Sequence, residues 1–69
     1  MSLTTVKIGE VNCIKGIGGQ EKTRRFLESL GFVIGGKICI ISRLGESLIV
    51  HVKESRVAIS AEMADKIMV

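Results

Sequence analysis

Lys37-Ile38-Cys39-Ile40-Ile41-Ser42-Arg43-Leu44-Gly45-Glu46-Ser47-Leu48-Ile49-Val50-His51-Val52-Lys53 is the stretch whose reading decides the architecture. From Lys37 to Arg43, Ile38 and Ile40 fall on one face of an extended chain, Cys39 and Ile41 on the other. Apolar residues on both faces predict a central strand covered on both sides. Leu44-Gly45-Glu46-Ser47 predicts a hairpin turn. Beyond it, Leu48, Val50 and Val52 alternate with Ile49, His51 and Lys53, the period of an antiparallel strand with one face in the core. Glu54-Ser55 predicts a second turn into a strand over Arg56 to Ile59. Ser60 is placed to cap a helical turn from Ala61 to Lys66. Ile67-Met68-Val69 is expected to close the sheet as a last short strand.

Upstream the period changes. At about 100° per residue, Thr23, Phe26, Leu27 and Leu30 share an arc of about 100°, so Gln20 to Leu30 reads as a helix with one apolar stripe. Gly31 stands where helices commonly end in a left-handed residue, and Phe32 is positioned to fold back on the last turn. Gly16, Gly18 and Gly19 break the chain ahead of the helix. Before them a strand runs through Val11, Cys13 and Lys15, entered by a turn at Lys7-Ile8-Gly9-Glu10. The opening Met1-Ser2-Leu3 is given little weight.

The chain has 69 residues, which suits a single domain over 1–69 near the lower limit for folding without disulfides or metals. With Phe26 and Phe32 as its only aromatics, the core must come from Ile, Val and Leu, which favours strands. There is no proline, so turns depend on the eight glycines. The expected class is all-β: a small, partly open barrel, SH3-like or OB-like, with one short α-helix inserted after the first strand and a short C-terminal helical turn. Very short links between three successive strands favour the SH3-like form.

Composition also restricts function. The net charge is +3, with ten basic residues scattered from Lys7 to Lys66. That permits an acidic partner, but lacks the dense cluster of a nucleic-acid binder. The longest apolar run, Ile38 to Ile41, is far short of the about 20 residues of a membrane span, so no direct insertion is expected. Cys13 and Cys39 lie in apolar stretches with no export signal upstream, which predicts free thiols in a cytoplasmic protein.

Candidate chemistry is sparse. Gly16-x-Gly18-Gly19 lacks the lysine and Ser/Thr of a phosphate loop and reads as a turn. Cys13, Cys39 and His51 show no Cys-x-x-Cys spacing, and a transition-metal site needs three or four ligands. The cysteines read as small buried hydrophobes, with no metal site and no cofactor. His51 has no nucleophile-and-acid set around it, so no enzyme is expected and no catalytic residue is named. Four residues remain as candidates for binding a partner. Arg24 and Arg25 lie on the helix, although pairing Arg25 with Glu21 and Arg24 with Glu28 would make them an ordinary solvated face. Ile49 and His51 lie on the outward face of their strand, where Ile49 joins Cys39 and Ile41 in a possible apolar patch.

Arg24-x-x-Leu27-x-x-Leu30-Gly31-Phe32-x-x-Gly35 resembles the helix-to-turn signature of the ferrous iron transport protein A (FeoA) family. Lys7-x-Gly9-Glu10 is similar to its opening turn, and Gly45 stands at its hairpin position. Val57-Ala58-Ile59 with Glu62, Ala64, Ile67 and Val69 resembles its closing segment. Ile34, Glu46-Ser47 and Ser60 depart from the family's usual proline, Asp-Pro and basic residue. The domain also resembles the SH3-like C-terminal module of metal-dependent repressors. The resemblance implies an SH3-like barrel in the cytoplasm that serves iron homeostasis by assisting a FeoB-type ferrous iron transporter, in an oligomeric state the sequence leaves open. The alternatives are a small-barrel nucleic-acid binder, disfavoured because both phenylalanines are expected to be buried and base stacking needs exposed aromatics, and a metal sensor or oligomeric scaffold.

Overall fold

The computed structural model describes all residues 1–69. A single 3₁₀ turn at Leu3–Thr5 precedes β1 (Val11–Cys13), β2 (Gly16–Ile17), α1 (Glu21–Ser29), β3 (Lys37–Leu44), β4 (Ser47–Val52), β5 (Ser55–Ser60), α2 (Ala61–Ala64) and β6 (Ile67–Met68). β1, β3, β4 and β5 form an antiparallel sheet in that order, and β2 pairs with β6 in a second. The class is the expected one, mostly β with one helix and a C-terminal helical turn.

The expected first strand is in fact two. Val11 and Cys13 pair with Cys39 and Lys37 in the larger sheet. Ile14 then donates to the Gly36 carbonyl at 2.8 Å, while Lys15 donates to Met68 at 2.7 Å, so the chain changes sheets between them. Gly16 is therefore a strand residue opposite Met68 rather than a break, and the helix follows the second strand. The last strand correspondingly closes the smaller sheet.

β3 lies between β1 and β4, as its apolar faces predict. Ile38 and Ile40 are buried, while Cys39 and Ile41 are only half-buried, so the cover on the second face is partial. Register runs from Ile38↔Val52 to Ile40↔Val50 and resumes at Ser42↔Ile49, leaving Ile41 as an extra residue in a bulge. The β4–β5 turn falls at Lys53-Glu54, one residue earlier than expected, with φ of 48° and 63°. Two successive left-handed residues match the twist of a two-residue hairpin.

α1 ends as its sequence requires. Gly31 has φ 107° and donates to the Glu28 carbonyl at 3.0 Å, while Phe32 donates to Leu27 at 3.1 Å. Both bonds cap carbonyls left over at the helix terminus, and Phe32 drops into the core. Ser60 caps α2 as expected, accepting from the Met63 N–H at 3.2 Å, although that helix stops at Ala64.

The opening residues overturn their dismissal. Leu3 is 0% exposed within the single apolar core. The Ser2 hydroxyl accepts from the Thr4 N–H at 3.2 Å, holding the turn that aims Leu3 inward. A lone leucine has no periodic neighbours, so no pattern marks it.

Candidate functional site

Three recesses mark the surface; one, at Glu46, Ser60, Ala61 and Glu62, touches none of the candidates, and the other two border His51 and Arg24. The first of these two lies on the outward face of the larger sheet. Val11 pairs with Cys39, Cys39 with His51, and His51 with Arg56, one line across all four strands. Register partners share a face, and the intervening Ile38 and Val52 point into the core, so this line faces out. Val11 is 61% exposed, His51 is exposed and Cys39 is half-buried. With Lys37, Lys53 and Glu54 they border a recess of about 380 Å³. Ile49 lies one alternation further along β4, half-buried opposite Ala58.

The second recess, about 440 Å³, is bordered by Arg24 and Glu28 of α1, Ile17 of β2, and Val33 and Ile34 of the loop after the helix. Arg24 and Glu28 are one turn apart but form no ion pair. The one ion pair between side chains joins Arg25 to Glu21 at 2.8 Å, with both well exposed. A pair in that setting is worth only a few tenths of a kcal/mol and leaves Arg25 solvated. Lys37, Lys53 and Arg56 make no ion pair at all, so the sheet face carries three uncompensated cations against the single carboxylate of Glu54.

The four candidates are thus divided. Arg24 borders the helix recess; Arg25 stands outside it; Ile49 and His51 lie on the sheet face. The two surfaces share no lining residue. The end of α1 nevertheless sits over the β4–β5 turn, since a side chain begun at Gly31 would lie 3.5 Å from the Lys53 side chain.

Two expectations about burial fail. Phe26 is 50% exposed, because the helix turns the Leu27 margin of its stripe into the core and leaves Phe26, about 100° away at the other margin, outside. The argument that both phenylalanines are hidden therefore falls, and Phe26 joins Ile34, 72% exposed, as an apolar group available to a partner. Phe26 and Leu27 stand at opposite edges of the same arc, so the period alone does not say which of them is buried. Cys13 is also exposed, on the outward side of the short edge strand β1, so it is no buried hydrophobe.

Cys39 and His51 face each other directly, with Cys13 one strand over and two residues along. No three His, Cys, Asp or Glu side chains converge closely enough to hold an ion. The Cys39 thiol instead donates to the Ile40 carbonyl at 3.7 Å. Both thiols are free, which sets an expected result: thiol titration after denaturation without reductant counts two, and under native conditions Cys13 reacts well ahead of half-buried Cys39. Equal native rates would show that the sheet face opens readily.

The FeoA domain family model matches residues 1–69. No curated protein matches the chain. Among solved structures, a crystal structure of an iron uptake regulatory protein (FeoA) is 25% identical with a TM-score of 0.89, the match covering 99% of this chain and 92% of that one. FeoA of Stenotrophomonas maltophilia, solved with zinc and described as a prokaryotic SH3 domain protein, is 23% identical with a TM-score of 0.85, covering 99% and 87%. A manganese-dependent transcriptional repressor is 16% identical with a TM-score of 0.88, covering 97% of this chain but 39% of the repressor. The barrel is therefore SH3-like, and the same fold recurs as part of a longer metal-dependent repressor.

Proposed function

We propose, because the chain belongs to the FeoA family over its whole length, that it serves ferrous iron uptake as a non-catalytic cytoplasmic accessory protein docking on a FeoB-type membrane transporter. The whole-length family match carries this reading. The S. maltophilia relative, described as a candidate bacterial ferrous iron transport activating factor, supports it. No helix here is long and apolar enough to cross a membrane, and the docking proposed is through protein surface. The helix recess offers Arg24 beside exposed Ile34, and the sheet face offers His51 and Ile49 among unpaired cations. Arginine next to apolar surface suits an interface anchor, and a net charge of +3 steers encounter with an acidic partner.

Because the two recesses are separate, each is tested alone, with Arg24→Glu and His51→Glu. Both side chains are exposed, so circular dichroism should be unchanged. Placing a negative charge at the true docking site should weaken co-purification with the transporter by roughly tenfold or more, about 1.4 kcal/mol. It should also fail to restore iron uptake in cells lacking the protein. Full co-purification and uptake with both variants would place docking elsewhere. Exposed Phe26 makes single-strand filter binding the proper control: binding that persists at moderate salt and is lost in Phe26→Ala would favour a nucleic-acid role instead.

A further inference from the structure

We propose that two copies of this chain pair edge to edge through β5, antiparallel, with Ala58 opposite its own symmetry mate. The reading concerns the free edge of the sheet, and it stands whether or not the transporter reading does.

β5 ends the four-stranded sheet, and its principal contacts are with β4 on one side and with the α2 turn that follows it. From Arg56 to Ile59, no backbone hydrogen bond is made outside the β4 ladder, and no side chain bonds this backbone. Alternate residues of an antiparallel strand direct their N–H and C=O groups to opposite sides. One row of β5 donors and acceptors therefore faces water unpaired.

Edges are commonly guarded by proline, bulges, several charges or a covering element. Here the chain has no proline, the β4–β5 register runs unbroken from Ser47↔Ser60 to Val52↔Ser55, and Arg56 is the strand's one charge. β1, at the opposite edge, is only three residues long.

The strand is also self-complementary in one register. Residues directly opposite in a sheet share a face, so a two-fold axis must pass through a residue's own pair. Centring on Arg56 would set two guanidinium groups against each other. Centring on Val57 would set Ser55 against Ile59 on the core side. Centring on Ala58 sets Val57 against Ile59 twice on the core side and Arg56 against Ser60 twice on the outer side. Ala58 is small and exposed, so the backbones can meet at the axis. The two Arg56 residues are then about 13 Å apart along the strands, at about 3.3 Å per residue, beyond the ~8 Å screening length at physiological salt.

A contact confined to one strand is below the about 1,200 Å² of stable complexes, so the dimer forms at high local concentration. The axis is perpendicular to the sheet, which places both Val11–Cys39–His51–Arg56 lines on the same side of one continuous sheet. A partner that gathers several copies would thus meet two such faces side by side, and the second contact becomes intramolecular.

Sedimentation equilibrium from about 10 μM to about 1 mM reads the pairing directly. The wild-type chain should move from monomer to dimer over this range. Ala58→Lys and Ala58→Glu should each weaken dimerisation at least about tenfold, since each sets two like charges face to face, while thermal melting stays near wild type. An equimolar mixture of the two variants should dimerise again. A wild-type chain that is monomeric throughout, single variants that dimerise undiminished, or a mixture that fails to recover would each overturn the proposal. If β5 amides gain exchange protection only when a transporter is added, the edge belongs to a foreign strand, and self-pairing is equally overturned.

Discussion

Leu3→Ala should lower the free energy of unfolding by about 3 kcal/mol, within the usual range for deleting a fully buried leucine side chain. Leu3 is completely enclosed, and the residues around it belong to the one core the molecule has. A domain of 69 residues at roughly 0.05–0.15 kcal/mol per residue has only about 3–10 kcal/mol in total. The substitution therefore removes roughly three tenths of the stability or more. Urea unfolding should show a lower midpoint with an unchanged slope, because the surface exposed on unfolding hardly differs. A midpoint equal to wild type would mean that the opening turn is frayed in solution and that Leu3 spends its time in water.

Gly31→Val should cost about 2 kcal/mol and lower the melting temperature by roughly 8–16 °C for a domain of this size. The cause is the backbone. At φ 107° a β-branched residue is strained whatever space surrounds it, and the site is not crowded, with Lys53 atoms no nearer than 3.5 Å. This distinguishes two explanations experimentally. Trimming the neighbour with Lys53→Ala should leave the Gly31→Val penalty in place, whereas recovery would point to side-chain collision instead. The same bend delivers Phe32 to the core, so relaxation of the backbone would also loosen that ring.

The parts that could be read in advance are those whose information is local. β3 and β4 announce themselves by period-two alternation, and the Leu30-Gly31-Phe32 helix end by a glycine where only a left-handed residue serves. Long-range pairing was the part out of reach. Nothing near Ile14 and Lys15 says that their N–H groups bond to Gly36 and to Met68 in different sheets, so the first strand looked continuous and Gly16 looked like a break. Burial at margins was equally hidden: Phe26 and Leu27 lie at opposite edges of one arc and Cys13 on an edge strand, and the rotation of the helix or one missing neighbour decides each. The recesses suffer the same limitation, since Ile17, Arg24 and Ile34 meet only after three separate elements have docked. Arg24 and His51 could be nominated singly, but their assignment to different surfaces required the fold.

The ends of the chain are hydrogen-bonded to each other. Val69 donates to the Met1 carbonyl at 2.8 Å, and the Met1 ammonium group donates back to Val69 at 3.1 Å. Met1 and Val69 therefore sit side by side. A domain entered and left at one point can be spliced into a surface loop of a larger protein whose anchor points are close together. Both joins would leave from one spot beside the β2–β6 ladder, so the graft would hang from its host by a double tether, its orientation held by two strands of chain rather than free to swivel on one.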